Sequence, residues 1–101
     1  MRRSGKSYAH PLVVLIVQTN EEPHVKVGIA AGKTVGTAVH RNRAKRLLRE
    51  AMRSLLPDIA SNLDLILIAR PGLVTATLED TRQALLNLMR RAQILISTNG
   101  S

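Results

Sequence analysis

Between Lys33 and Arg53 the chain reads KTVGTAVHRNRAKRLLREAMR, and no other stretch constrains the fold as much. Ala44, Leu47, Leu48, Ala51, Met52 and Leu55 recur at steps of three and four, one apolar stripe of an α-helix. Asn42, Lys45, Arg46, Arg49 and Arg53 fill an arc on the other side. Arg43 falls at the boundary between the faces, and Arg41 nearer the apolar stripe, in the first turn. The spacing predicts a helix over Ala38–Leu55, about 27 Å long at the α-helical rise. Thr37 is placed to cap its N-terminus. Pro57 disfavours helical geometry in the residue before it and stops the helix near Leu56. Such a helix must lay its stripe on a core and leave a cationic face outside.

A charged helix face is ordinarily solvated surface, with Lys and Arg mixed with Glu at i,i+4 spacing. That mixing is nearly absent here. Lys33, Arg41, Arg43, Lys45, Arg46, Arg49 and Arg53 belong to the segment, against one acid, Glu50. Arg46–Glu50 is its one i,i+4 pair of opposite charge, whereas Arg41–Lys45, Lys45–Arg49 and Arg49–Arg53 repel. A self-repelling face suits a polyanionic partner. With a net charge of +8 over 101 residues, nucleic-acid binding is favoured over a solvated face or a membrane surface. Tyr8 is the one aromatic residue, so the base-stacking platform of single-strand binders is missing.

The length predicts one domain over residues 1–101, with 1–7 and 97–101 as flexible ends. Pro11 to Val17 (PLVVLIV) reads as a strand, and its lack of alternation predicts cover on both faces, at least in part. Gln18 to His24 is a turn by composition. Val25 to Ala31 (VKVGIAA) reads as a second strand, hairpin-paired to the first by default. Gly28 inside it suggests a bulge or a close backbone approach. Leu63 to Ala69 (LDLILIA) is a third, central strand, ended by Arg70-Pro71-Gly72. Thr77 to Asp80 resembles a capping box. The following helix carries Leu78, Leu85, Leu88, Met89 and Ala92 on one side and fades around Ile94 to Ile96. The fold class is therefore α+β: a small two-layer sandwich in the order β-β-α-β-α, with helices on one sheet face.

Several motifs lead nowhere. Gly28 to Thr34 imitates a phosphate-binding loop, but Val27 stands where the first glycine belongs, and too few residues separate the glycines. An NTPase is therefore the weakest function considered. Gly28, Gly32 and Gly36 are better read as backbone freedom where strand turns into helix. His10, His24 and His40 lack ligand spacing, and the seven acids are scattered, so no catalytic residue and no bound metal or cofactor are expected in the protein itself. Without Cys there is no disulfide framework, which is compatible with a reducing cytosol. No apolar run approaches membrane-spanning length, and the basic N-terminus lacks signal-peptide features. A cytoplasmic protein with no membrane partner is expected.

The run Val27 to Arg53 (VGIAAGKTVGTAVHRNRAKRLLREAMR) resembles the signature of the bacterial ribonuclease P protein subunit: a strand, a basic Gly-containing link, then an R-N-R helix continued by K-R-x-x-R. GKSYAHPLVVLIV resembles the family's first strand and LDLILIARPG its strand before the last helix, so the likeness runs from about Gly5 to Ile96. The resemblance implies an α+β sandwich with a left-handed β-α-β crossover, opposite to the usual hand. It also implies a function: the family protein binds a catalytic RNA that removes the 5′ leader of precursor tRNA. It would thus serve an endonuclease as its protein subunit, in the cytoplasm and in a 1:1 complex. Magnesium would be held by the RNA, and the protein would contact the leader. By position, Arg41, Asn42, Arg43, Lys45, Arg46 and Arg49 would pack on the catalytic RNA. Lys33 falls in the family's basic link, and Arg53 shares the same face. Lys6, Tyr8, Val14 and Ile16 would line the leader cleft.

Three departures accompany the likeness. The family's N-terminal helix has no counterpart, so either the natural start lies upstream or the chain is a shortened member with a half-open cleft. The second basic position of the link is Thr34, and an expected Asn is Thr37. Aromatics of the first strand are replaced by Val14, Leu15 and Ile16. The alternative function is a ribosomal-type structural RNA-binding protein with no part in catalysis.

Overall fold

Helix α1 spans Ala38–Leu55, as the periodicity predicts, in a computed structural model that describes residues 5–96. Its buried residues are Ala44, Leu48, Ala51, Met52 and Leu55, with Leu47 half-buried. Around it stand β1 (Lys6–Ala9), β2 (Val13–Thr19), β3 (Val25–Ala31), β4 (Leu63–Ala69) and α2 (Leu78–Ala92). Three short 3-10 turns, Lys33–Val35, Leu56–Asp58 and Pro71–Thr75, connect them. The result is a four-stranded sheet covered by two helices, the α+β sandwich expected, with one strand more.

The extra strand is β1. The expected loose segment 1–7 gives way from Lys6 to an antiparallel hairpin with β2, from Lys6↔Val17 to Ala9↔Val14. Residues 1–4 and 97–101, the remaining expected flexible ends, lie outside the described residues.

The strand order is β1-β2-β4-β3, so the anticipated hairpin between β2 and β3 does not form. β4 lies between them, antiparallel to β2 and parallel to β3. The link Asn20–His24 has the reach for this. Five residues span at most about 16–18 Å when extended, whereas crossing one intervening strand takes roughly 10 Å. The link is tied down as it passes the start of β4. Asn20 Nδ2 donates to Asp64 Oδ1 at 2.7 Å, and Asn62 Nδ2 donates to the Glu22 carbonyl at 2.6 Å. β4 is thus central, as its apolar sequence predicts, and α1 is the crossover between the parallel neighbours β3 and β4.

Along each strand, alternate residues face the helices. Val13, Leu15 and Val17 of β2 and Leu63, Leu65, Leu67 and Ala69 of β4 are buried there. Helix α2 covers β1 and β2, and α1 covers β3 and part of β4. The other face carries Val14, Ile16, Ile66, Ile68 and Ala30, and no described element covers it. Cover on this second face is only partial: Val14 and Ile16 of β2 are half-buried, and Ile66 of β4 remains 40% exposed. An unbroken apolar strand can still belong to a sheet with one open side. Gly28 is also corrected. Register runs without a bulge from Val27↔Leu65 to Ile29↔Leu67, and a Cβ on Gly28 would meet nothing within 4 Å.

In α2 the expected capping box forms, with Asp80 N donating to Thr77 Oγ1 at 3.0 Å and Thr77 N to Asp80 Oδ2 at 3.2 Å. Leu78, expected in the apolar stripe, is 46% exposed, because the first helical residue precedes the turn that meets the core. Thr81, Ala84, Leu85, Leu88 and Met89 make the contact instead. The buried Thr81 hydroxyl donates to the Thr77 carbonyl at 2.8 Å and so costs little. Left-handed geometry at Gln93 (φ 60°) ends the helix.

Candidate nucleic-acid interface

The link Gly32–Thr37 presents the cationic face. Its 3-10 turn, Lys33–Val35, is anchored by the buried Val35 and leaves Lys33 exposed. Gly36 then adopts φ 130°, and a Cβ there would sit 2.7 Å from His40 Nδ1. Both the conformation and the space demand glycine. By contrast, Gly28 and Gly32 have room for a Cβ, so only Gly36 has the role anticipated for all three. Thr37 caps as predicted, its hydroxyl accepting from His40 N at 3.4 Å.

On α1 most side chains sort as the helical wheel predicts, except that Lys45, placed in the polar arc, is half-buried and Arg43, placed at the boundary, is exposed. Asn42, Arg43, Arg46, Arg49 and Arg53 are exposed; Arg41 and Lys45 are half-buried. Glu50 leans to Arg53 at 3.5 Å, three residues on, and not to Arg46. Among the described residues, no carboxylate lies within 4.0 Å of Arg41, Lys45, Arg46 or Arg49. Arg43 differs: its Nε donates to the Val74 carbonyl at 2.9 Å, tying α1 to the turn before α2. The residue as a whole remains exposed. The face can therefore hold several phosphates at once, and arginine keeps its charge throughout the physiological pH range.

Lys6, Tyr8, Val14 and Ile16 do not form one surface. Tyr8 is opposite Leu15 and Lys6 opposite Val17, which puts both on the helix side of the sheet. Val14 and Ile16 point to the open side. Tyr8 packs against the core beneath α2, with the Arg91 guanidinium 6.0 Å from its ring centroid. Arg91 Nη1 also donates to the Ala9 carbonyl at 2.8 Å. Ile66 and Ile68, which sequence reading passed over, join Val14 and Ile16 on the open face. Only the register reveals that grouping, since a run of consecutive apolar residues does not say which face each takes.

Five of the seven acids, Glu22, Glu50, Asp64, Glu79 and Asp80, have partners for their carboxylates. Glu22 is 3.0 Å from Lys26, whose hydrogen bond and charge hold its carboxyl below the usual carboxylate range. Glu79 faces Arg82, Asp80 caps α2 and Asp64 accepts from Asn20. Among the described residues no three His, Cys, Asp or Glu side chains cluster, and no helix is long and apolar enough to cross a membrane.

Comparison with known proteins adds a second line. The ribonuclease P family model matches residues 1–93. The ribonuclease P protein component of Herpetosiphon aurantiacus is 42% identical over 94 residues, covering 93% of this chain and 76% of that protein. That of Brevibacillus brevis is 44% identical over 92 residues, covering 90% and 73%. Among solved structures, the Staphylococcus aureus RNase P protein superposes with a TM-score of 0.78 at 29% identity, covering 90% of this chain and 84% of that one. The Thermotoga maritima protein gives 0.77 at 30% identity, covering 86% and 83%.

Proposed function

This chain belongs to the ribonuclease P protein family as the protein component of that tRNA-processing ribonucleoprotein endoribonuclease, and on that premise we propose how its surfaces divide the work. The α1 face, with Lys33 and Arg41, Asn42, Arg43, Lys45, Arg46, Arg49 and Arg53, docks on the RNA subunit. The observation that carries this is the row of cations without carboxylate partners, Arg41, Lys45, Arg46 and Arg49, on one rigid helix. Phosphates supply the missing counter-charge. The relatives favour this reading over a ribosomal-type role.

The precursor-tRNA leader passes over the open sheet face, across Val14, Ile16, Ile66 and Ile68. Without aromatic side chains this face offers apolar contact and shape, with little stacking. Tyr8 and Lys6 lie on the wrong side to contribute. The protein acts as one copy per RNA in the cytoplasm, and the magnesium ions of the reaction belong to the RNA.

The test is cleavage of precursor tRNA by a bacterial ribonuclease P RNA at low magnesium, with and without the protein. Stimulation is expected. Binding to the RNA without any stimulation would refute the leader-contacting role while leaving the docking face intact.

A further inference from the structure

Beneath the C-terminal half of α1 lies a groove that the docking face does not account for. Val27 and Ile29 of the edge strand β3 form one side, and Met52 and Leu56 the other. Arg49 and Arg53 stand at its rim, and its volume is about 260 Å³. Leu56, on the outer wall, is 40% exposed although it is apolar.

Three kinds of chemistry meet there. The lining is aliphatic. Because β3 ends the sheet order, every second residue along it turns its N–H and C=O outward, unpaired by a further strand. The rim is cationic: Arg49 has no carboxylate within 4.0 Å among the described residues, and the Arg53 guanidinium is held at 3.5 Å by Glu50. An apolar floor, backbone hydrogen-bonding groups and a cation together match a single nucleotide: an apolar base face, a polar base edge and a phosphate. The volume lies below the range for drug-sized ligands, so it admits one base and not an extended chain.

We propose that this groove receives one unpaired nucleotide of the RNA subunit. Its base enters between Ile29 and Leu56, and its phosphate rests on Arg49. The planar Arg53 guanidinium covers the base, in the way arginine planes stack on unpaired RNA bases. The inference rests on the α1 face docking on RNA and deepens it. Phosphate contacts along α1 position the protein without regard to sequence, whereas an extruded base fixes the register of the helix on one place in the RNA. A second copy of the chain pairing along β3 would bury the same wall, but it would bring Arg49 and Arg53 against like charges.

The experiment replaces exposed Leu56 with Trp, which fills the groove, and measures binding to an in vitro transcribed bacterial ribonuclease P RNA across a salt series. A lost base contact weakens binding by about tenfold, and the salt slope flattens by at most the one phosphate that rests on Arg49. Thermal unfolding establishes that the variant is folded, and Arg46→Ala serves as the docking control. Weaker binding by Arg46→Ala alone overturns the groove proposal and leaves docking in place. No effect from either variant overturns both. A photo-crosslinking amino acid at position 56 of the assembled complex gives a second readout. Crosslinks to one unpaired nucleotide are expected, whereas crosslinks only to paired RNA or to a second protein copy refute the assignment.

Discussion

On the proposed docking, replacing Arg46 by Ala removes one phosphate contact with little effect on stability, because the residue is exposed. Four α1 cations, Arg41, Lys45, Arg46 and Arg49, have neither a carboxylate partner nor a side-chain hydrogen bond within the protein among the described residues, whereas Arg43 is tied to the Val74 carbonyl. Each phosphate neutralised contributes roughly 0.7–0.9 to the slope of log affinity against log salt, so the intact protein should show a slope of about −3 to −4. With a coefficient near 0.9, raising salt from 50 to 200 mM lowers affinity about 150-fold for four contacts and about 40-fold for three. Arg46→Ala should therefore bind more weakly at low salt and lose less on salt addition. Arg53→Ala should flatten the slope less, since Glu50 already offsets part of its charge at 3.5 Å. Filter binding or fluorescence anisotropy over a salt series measures both slopes, with circular dichroism confirming the helix. A slope unchanged in Arg46→Ala would refute the argument and return the α1 face to solvated surface.

Other perturbations separate packing from binding. Leu48 is fully buried, so Leu48→Ala should cost about 2–5 kcal/mol, seen as a lowered midpoint in urea with little change in salt slope once folded protein is compared. Gly36→Ala meets both φ 130° and a 2.7 Å approach to His40 Nδ1. It should cost about 1–3 kcal/mol and tilt the start of α1, so thermal unfolding and RNA affinity fall together. Ile16→Ser on the open face should weaken precursor-tRNA binding by the assembled complex while leaving binding to the RNA subunit alone unaltered. Tyr8→Phe, beneath α2, should change neither.

Helix α1 was legible because everything that defines it is local. Its period, its Thr37 cap and the concentration of cations all lie within one short stretch of chain; the expected Pro57 stop is different, since Leu56 keeps helical geometry (φ −51°, ψ −44°) and the chain leaves α1 through the 3-10 turn Leu56–Asp58. The same holds for the Thr77–Asp80 cap and for the family resemblance, which rests on contiguous residues. The sheet was less legible because pairing joins residues far apart. Nothing in Val25–Ala31 states that its neighbour is Leu63–Ala69 and not Val13–Thr19. The link Asn20–His24 is long enough for either arrangement, and its ties to Asn62 and Asp64 form only in the folded chain.

The sequence by itself thus determined that one helix carries a core stripe opposite a self-repelling cationic face, since side-chain period follows from backbone geometry alone. Tertiary structure decided what that face adjoins and which residues share the sheet's open side. A one-residue difference in register exchanges the two faces of a strand. For that reason Leu15 lies under the helices while Ile16 faces outward beside Ile66, although all three read as apolar strand residues.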